Sequence, residues 1–125
     1  MVELNFEKQG GLIPVVIQDF KTKEVLMMAY TDITAWKLTL KTGLVHFWSR
    51  SRKKIWKKGE ESGYIQEVKE IRIDCDEDSI LIKVRQVKGA ACHKGYRSCF
   101  YRVLQNNKLK KDGEKIFEPK EIYKD

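Results

Sequence analysis

No stretch of this 125-residue chain approaches the roughly 20 consecutive apolar residues that a membrane-spanning helix requires. The start, Met1-Val2-Glu3-Leu4-Asn5-Phe6-Glu7, lacks both the basic opening and the apolar centre of a secretory signal, so a cytoplasmic location is the default expectation. Internal repeats, low-complexity tracts and convincing linkers are missing too. One domain, 1–125, is therefore the simplest organisation. Cysteine is scarce and odd in number: three cannot all pair within a chain, and a reducing cytosol disfavours disulfides anyway. Metal ligation or thiol reactivity is the better use for them. Three thiolates leave a tetrahedral zinc one ligand short, as in catalytic sites that keep an open position.

Charge is plentiful. With 42% hydrophobic and 34% charged residues the chain reads as globular, not disordered. A net charge of +7 points to an anionic partner, either nucleic acid or a phosphorylated small molecule. The basic residues are focused: Arg50, Arg52, Lys53, Lys54, Lys57 and Lys58 fall in one short run. The tail from Lys108 to Asp125 mixes both signs and reads as a solvated surface.

Leu12 to Phe20 and Val25 to Tyr30 read as strands, with Lys21-Thr22-Lys23 as a hairpin turn between them. Thr31 or Asp32 can cap a helix that carries Ile33, Trp36 and Leu40 on one face and stops at Gly43. Leu44 to Trp48 reads as a further strand. Ile71, Ile73 and Cys75 alternate with polar neighbours, and Ile80, Ile82 and Val84 do likewise, which predicts two half-buried strands joined through Asp76-Glu77-Asp78. Gly89 and Gly95 mark loops. The expected fold is α+β, a small domain rich in antiparallel strands with few helices. Met27, Met28 and Trp36 are expected in the core, and His46 as a satisfied structural histidine.

Asp74, Asp76 and Asp78 would project to one side of an extended backbone, where a divalent cation would relieve their repulsion. An ordinary water-facing acidic turn has the same spacing. Cys75 would face the other way, as a core residue or a ligand. Cys92-x6-Cys99 lacks the tight knuckle of structural zinc ribbons, and His93, adjacent to Cys92, is better placed as a base than as a further ligand. Phe47-Trp48-Ser49-Arg50-Ser51-Arg52 interleaves aromatics, hydroxyls and guanidinium groups suited to a phosphate and a base, or forms a strand end entering a charged loop. Gly59-Glu60-Glu61-Ser62-Gly63 is a polar loop able to close over a ligand. A nucleic-acid module with a closed four-ligand zinc and a redox-sensing thiol protein are the alternatives in other functional classes.

The ordered segments Phe47-Trp48-Ser49-Arg50-Ser51-Arg52, Trp56-Lys57-Lys58-Gly59-Glu60, Ser62-Gly63, Asp74-Cys75-Asp76-Glu77-Asp78 and Cys92-His93-Lys94-Gly95…Ser98-Cys99-Phe100 resemble the phosphoribosyl-AMP cyclohydrolase family. The resemblance runs from about Leu12 to Tyr101 and leaves a charged extension over 102–125. It implies a monofunctional, intertwined homodimer that opens the adenine ring of phosphoribosyl-AMP. The reaction implied is hydrolysis of the N1–C6 bond, the third step of histidine biosynthesis, by a zinc-activated water with magnesium-assisted substrate binding. It further implies Mg²⁺ on Asp74, Asp76 and Asp78. Zn²⁺ is implied on Cys75, Cys92 and Cys99, with Cys75 coming from the other subunit. His93 becomes the expected catalytic residue. Trp48, Ser49, Arg50, Ser51 and Arg52, with Gly59, Glu60 and Ser62, become the expected substrate contacts. Neither a nucleic acid nor a membrane is an expected partner. Glu61 and Tyr64 depart from the family's usual residues, Thr and His or Asn, and bear on loop contacts and substrate fit.

Overall fold

The computed structural model describes residues 4–119. Strands β1 (Ile13–Asp19) and β2 (Val25–Thr31) pair antiparallel as a hairpin. The helix α1 (Ile33–Thr42) follows, then β3 (His46–Ser49) and β4 (Lys54–Lys57), then the long hairpin β5 (Gln66–Ile73) and β6 (Ile80–Gln86). These form a six-stranded sheet in the order β4-β3-β2-β1-β6-β5. All pairings are antiparallel except that of β1 with β6. The fold is α+β, as the alternating apolar pattern predicts. No helix among the described residues is long and apolar enough to cross a membrane.

Period-two burial builds the core. Ile13, Val15 and Ile17 of β1 and Ile80, Ile82 and Val84 of β6 are buried on one side of the central pair. Phe47 of β3 is fully buried and stacks obliquely on Trp56, its cross-strand partner, with ring centroids 5.0 Å apart. Pro14 fits inside β1 because the pairing with β6 begins only at Val15, so its missing N–H breaks no rung there.

The helix is fixed at both ends by its sequence. The Asp32 carboxylate accepts a hydrogen bond from the Ala35 amide at 2.8 Å, and Gly43 closes the helix in the left-handed region at φ 74°. Its buried stripe is Ala35, Trp36 and Thr39, not the expected set: Ile33 and Leu40 are exposed. Met28 is exposed as well, because it lies on the face of β2 opposite Met27. Met27 and Trp36 are buried and His46 is satisfied, its Nδ1 bonding the Leu44 carbonyl at 2.8 Å.

Two further features concern strands. The basic run after β3 turns through Lys53 (φ 52°) into β4, so part of it is sheet. The chain past 101 also carries structure: β7 (Arg102–Gln105) and β8 (Lys108–Lys111) form a separate hairpin. Its tip, Asn106-Asn107, has positive φ at both positions, as a two-residue hairpin turn demands. Every residue of β8 is exposed, as a solvated surface requires. The following segment folds back, burying Phe117 against Tyr64 at a ring separation of 4.8 Å. Gly95 receives this segment with no room to spare, since a Cβ there would lie 1.9 Å from the Phe117 carbonyl oxygen. Of the charged tail, residues 120–125 lie outside the described residues.

Phe47→Ala should cost about 3–5 kcal/mol in chemical denaturation, because the fully buried ring leaves a cavity. Leu104→Ala, on the exposed β7, should change stability by less than ~0.5 kcal/mol. Equal losses would show that the exposed hairpin is part of the cooperative core.

Candidate active site

The acidic trio sits in a turn, not on an extended strand. β5 ends at Ile73, and the chain reverses through Glu77 at φ 60°, whose amide bonds the Asp74 carbonyl at 3.1 Å. The turn draws one carboxylate oxygen each from Asp74, Asp76 and Asp78 to within 4.8 Å of one another. Extended geometry was the wrong reason for their convergence; the reversal accomplishes it. Cys75 lies in this turn and is exposed, which removes the core alternative for it. Asp74 Oδ1 accepts from the Asp78 and Ser79 amides at 3.0 and 3.3 Å, and Lys8 caps Asp78 at 2.6 Å. The Asp78 amide, foremost, holds the Asp74 carboxyl down to about 2. Hard oxygens so gathered fit a divalent cation such as Mg²⁺.

The other two cysteines are held by a compact loop beyond β6. The Ala91 amide bonds the Arg97 carbonyl and the Cys92 amide bonds the Tyr96 carbonyl, at 3.0 and 3.1 Å, so the chain folds on itself around Gly95. Ser98 then fastens the loop to β2: its hydroxyl donates to the Val25 carbonyl at 2.7 Å, and the Cys99 amide donates to the Leu26 carbonyl at 2.7 Å. This brings Cys99 close enough to Cys92 for each to feel the other's charge. Cys99 is exposed as a residue, but partial withdrawal of its thiol from water, and then the neighbouring Cys92, push it up to about 11. Cys92 itself is buried.

Lys58, which the sequence marks only as one lysine of the basic run, completes this cluster. Its side chain is buried, and its ammonium donates to the Ala91 carbonyl at 2.6 Å. Burial lowers its pKa below the ordinary lysine value, while Cys99 and Cys92 act in the opposite sense. No carboxylate forms an ion pair with it among the described residues. The signal was present in Trp56-Lys57-Lys58-Gly59, but nothing in a basic run tells which lysine turns inward.

A cavity of about 760 Å³ opens beside this cluster. Lys58, His93 and Cys99 line it together with Ser49, Arg52, Gly59, Glu60 and Ser62. His93 is exposed. Gly59 serves the wall through its backbone, since a Cβ there would lie 2.4 Å from the Ile65 nitrogen. Trp48, Arg50 and Ser51 are not in this wall; they line a second hollow of about 560 Å³ on the other side of Ser49 and Trp56. Glu61 lines the main cavity, whereas Tyr64 is buried in a small core with Ala90 and Phe117. Its departure from the family therefore falls on packing.

One protomer does not gather all six proposed metal ligands. The aspartates and Cys75 precede β6, and Cys92 and Cys99 follow it. Seven residues of strand separate them by about 20 Å. Two thiols of one chain alone fit only part of a zinc site.

Over residues 27–101 the chain matches the profile of the phosphoribosyl-AMP cyclohydrolase family. It is similar along almost its whole length to proteins of that name. That of Methanosarcina acetivorans is 59% identical, over 98% of this chain and 100% of the relative. That of Methanoregula boonei is 58% identical, over 98% and 96%, and that of Desulfatibacillum aliphaticivorans 55% identical, over 99% of each.

Because the folded Asp74 value lies below the ordinary 3.8, its contribution to the turn is fully present above about 3.8 and is lost as pH falls through about 2. In metal-free protein, the Asp74 carboxyl carbon followed by NMR should titrate near 2, with the Asp78 amide moving in step. A midpoint near 4 would mean the amide contacts do not persist in solution.

The sequence match, the cysteine loop beside a basic cavity and the acidic turn agree, and the chain belongs to the phosphoribosyl-AMP cyclohydrolase family.

Proposed function

We propose that this chain hydrolyses the N1–C6 bond of the adenine ring of phosphoribosyl-AMP, in the histidine-biosynthetic pathway of the cytoplasm. The observation that carries this reading is one cavity in which His93, Cys99 and Lys58 meet the basic wall formed by Arg52 and Lys57. A group able to move a proton thus sits beside groups able to hold phosphate.

Water adds at C6, made electrophilic by the N1 ribosyl substituent. The N1–C6 bond then breaks, N1 departs within an amidine and takes up a proton, and the exocyclic amine stays on C6 as a carboxamide. His93 removes the proton from the attacking water and returns one to N1. Lys58, fixed on the Ala91 carbonyl, keeps a positive charge beside the cysteine pair. Glu60 and Ser62, on the loop after Gly59, close the mouth and orient the purine.

Zinc held by Cys92, Cys99 and Cys75 of the partner subunit would supply Lewis acidity toward an attacking water, and magnesium held by Asp74, Asp76 and Asp78 would supply positive charge toward a substrate phosphate or hydroxyl. The strand-length separation within a protomer supports such sharing, and so do the exposed apolar side chains Val25 and Phe100, which a second copy can cover.

His93→Ala should lower turnover by about 10²–10⁴-fold while the zinc content stays full. Near-normal turnover with full zinc would remove His93 from proton transfer. Cys75→Ser and Cys99→Ser should each be inactive alone. Mixed, unfolded and refolded together in equal amounts, they should recover about a quarter of the wild-type activity, since half of the dimers carry one intact site. No recovery from correctly mixed dimers would place all three cysteines in one subunit's site.

A further inference from the structure

The basic segment around the β3–β4 turn feeds two hollows, not one. Arg52 faces the main cavity, and Arg50 lines the second hollow with Tyr30, Trp48 and Ser51. Ser49 and Trp56 belong to both and form the partition. The turn that sends the two arginines apart is pinned to Ser49. The Arg52 amide donates to its hydroxyl at 3.2 Å, and the Lys53 amide to its carbonyl at 2.8 Å. Arg50 is further fixed by stacking, its guanidinium carbon 4.1 Å from the Tyr30 ring centroid. Stacking uses the face of a guanidinium and leaves its N–H edge able to grip an anion bidentately. Neither arginine is ion-paired with a carboxylate among the described residues.

We propose that the Arg50 hollow is a separate anion subsite, so that the protein grips a substrate bearing two phosphates at both ends. The inference rests on the substrate reading given above. Phosphoribosyl-AMP has one phosphate on its AMP half and another on the ribose attached at N1. The bond that breaks involves N1, so the N1-linked phosphate belongs near His93, in the main cavity under Arg52. The AMP phosphate, on the opposite edge of the purine, then crosses the Trp56 partition into the Arg50 hollow. There Trp48 and Tyr30 cover apolar sugar and ring surface, and Ser51 adds a hydroxyl donor. Charge suits this division: two guanidinium groups without a carboxylate partner among the described residues line two hollows that share Ser49 and Trp56, and the substrate has two dianions on two sides of one ring.

The two halves of the substrate serve as probes. In wild-type enzyme turning over phosphoribosyl-AMP, AMP and ribose 5-phosphate should inhibit together, with intersecting lines in a double-inhibition plot. Arg50→Met should weaken AMP binding by about tenfold or more in calorimetry and leave ribose 5-phosphate within about twofold, and Arg52→Met should do the reverse. Arg50→Met should also raise KM more than it lowers kcat, as expected of a grip equal in ground and transition states. Mutually exclusive inhibition in wild-type enzyme, or equal weakening of both probes by both variants, would overturn the second subsite and leave the reaction untouched. Absence of phosphoribosyl-AMP turnover in the wild type would overturn both readings.

Discussion

The parallel pairing of β1 with β6 is the constraint on which the rest of this molecule depends. It joins the amino-terminal hairpin to the β5–β6 hairpin and places six buried aliphatic side chains at the middle of the sheet. It also decides where chemistry can occur. A strand that crosses the sheet from edge to edge has two ends, and here each end feeds one ligand-rich loop. The acidic turn comes before β6 and the cysteine loop after it. Neither can move toward the other without breaking the central ladder, so their separation is as rigid as the core itself.

At the second end of β6, the cysteine loop depends on contacts whose purpose is not evident from spacing. Ser98 and Cys99 are tied to the first residues of β2, while Gly95 accepts the returning segment near Phe117. Lys58 reaches the same loop from β4's exit by bonding the Ala91 carbonyl. Three distant parts of the chain therefore converge on the loop from Ala91 to Cys99. Such over-determination suits a site whose donors must hold their separation without a regular ladder.

Local physical chemistry made a good part of this legible beforehand. β-rich and apolar runs mark β1 and β2, alternation marks β6 and the end of β5, and the Asp32 cap and Gly43 stop bound the helix nearly residue by residue, because each is decided by neighbours in sequence. What escaped depends on neighbours in space. Ile33 and Leu40 have helical periodicity but lie away from the sheet, and Met28 shares a strand with Met27 but faces outward. β4 was hidden under its lysines, since an edge strand accepts charge that an inner strand would not. At the candidate site, the aspartates of one loop and the cysteines of the other stand out in composition and order. Which lysine is buried, and that Arg50 and Arg52 part to opposite sides of Trp56, were not legible there, for both depend on a turn pinned by one serine hydroxyl.

Dividing the proposed metal ligands between the two ends of β6 also solves an electrostatic problem of small size. A protomer that held three carboxylates and three thiolates in one place would concentrate negative charge in a domain with little interior to screen it. Separation lets each half carry its own compensation. The acidic turn stays in water, with Lys8 on Asp78 and two backbone amides on Asp74. The thiol pair, which is partly withdrawn from water, has Lys58 instead, an ammonium that solvent could not replace. Under the proposed sharing, the charges meet only when two folded copies do, and by then divalent cations rather than the fold are available to neutralise them.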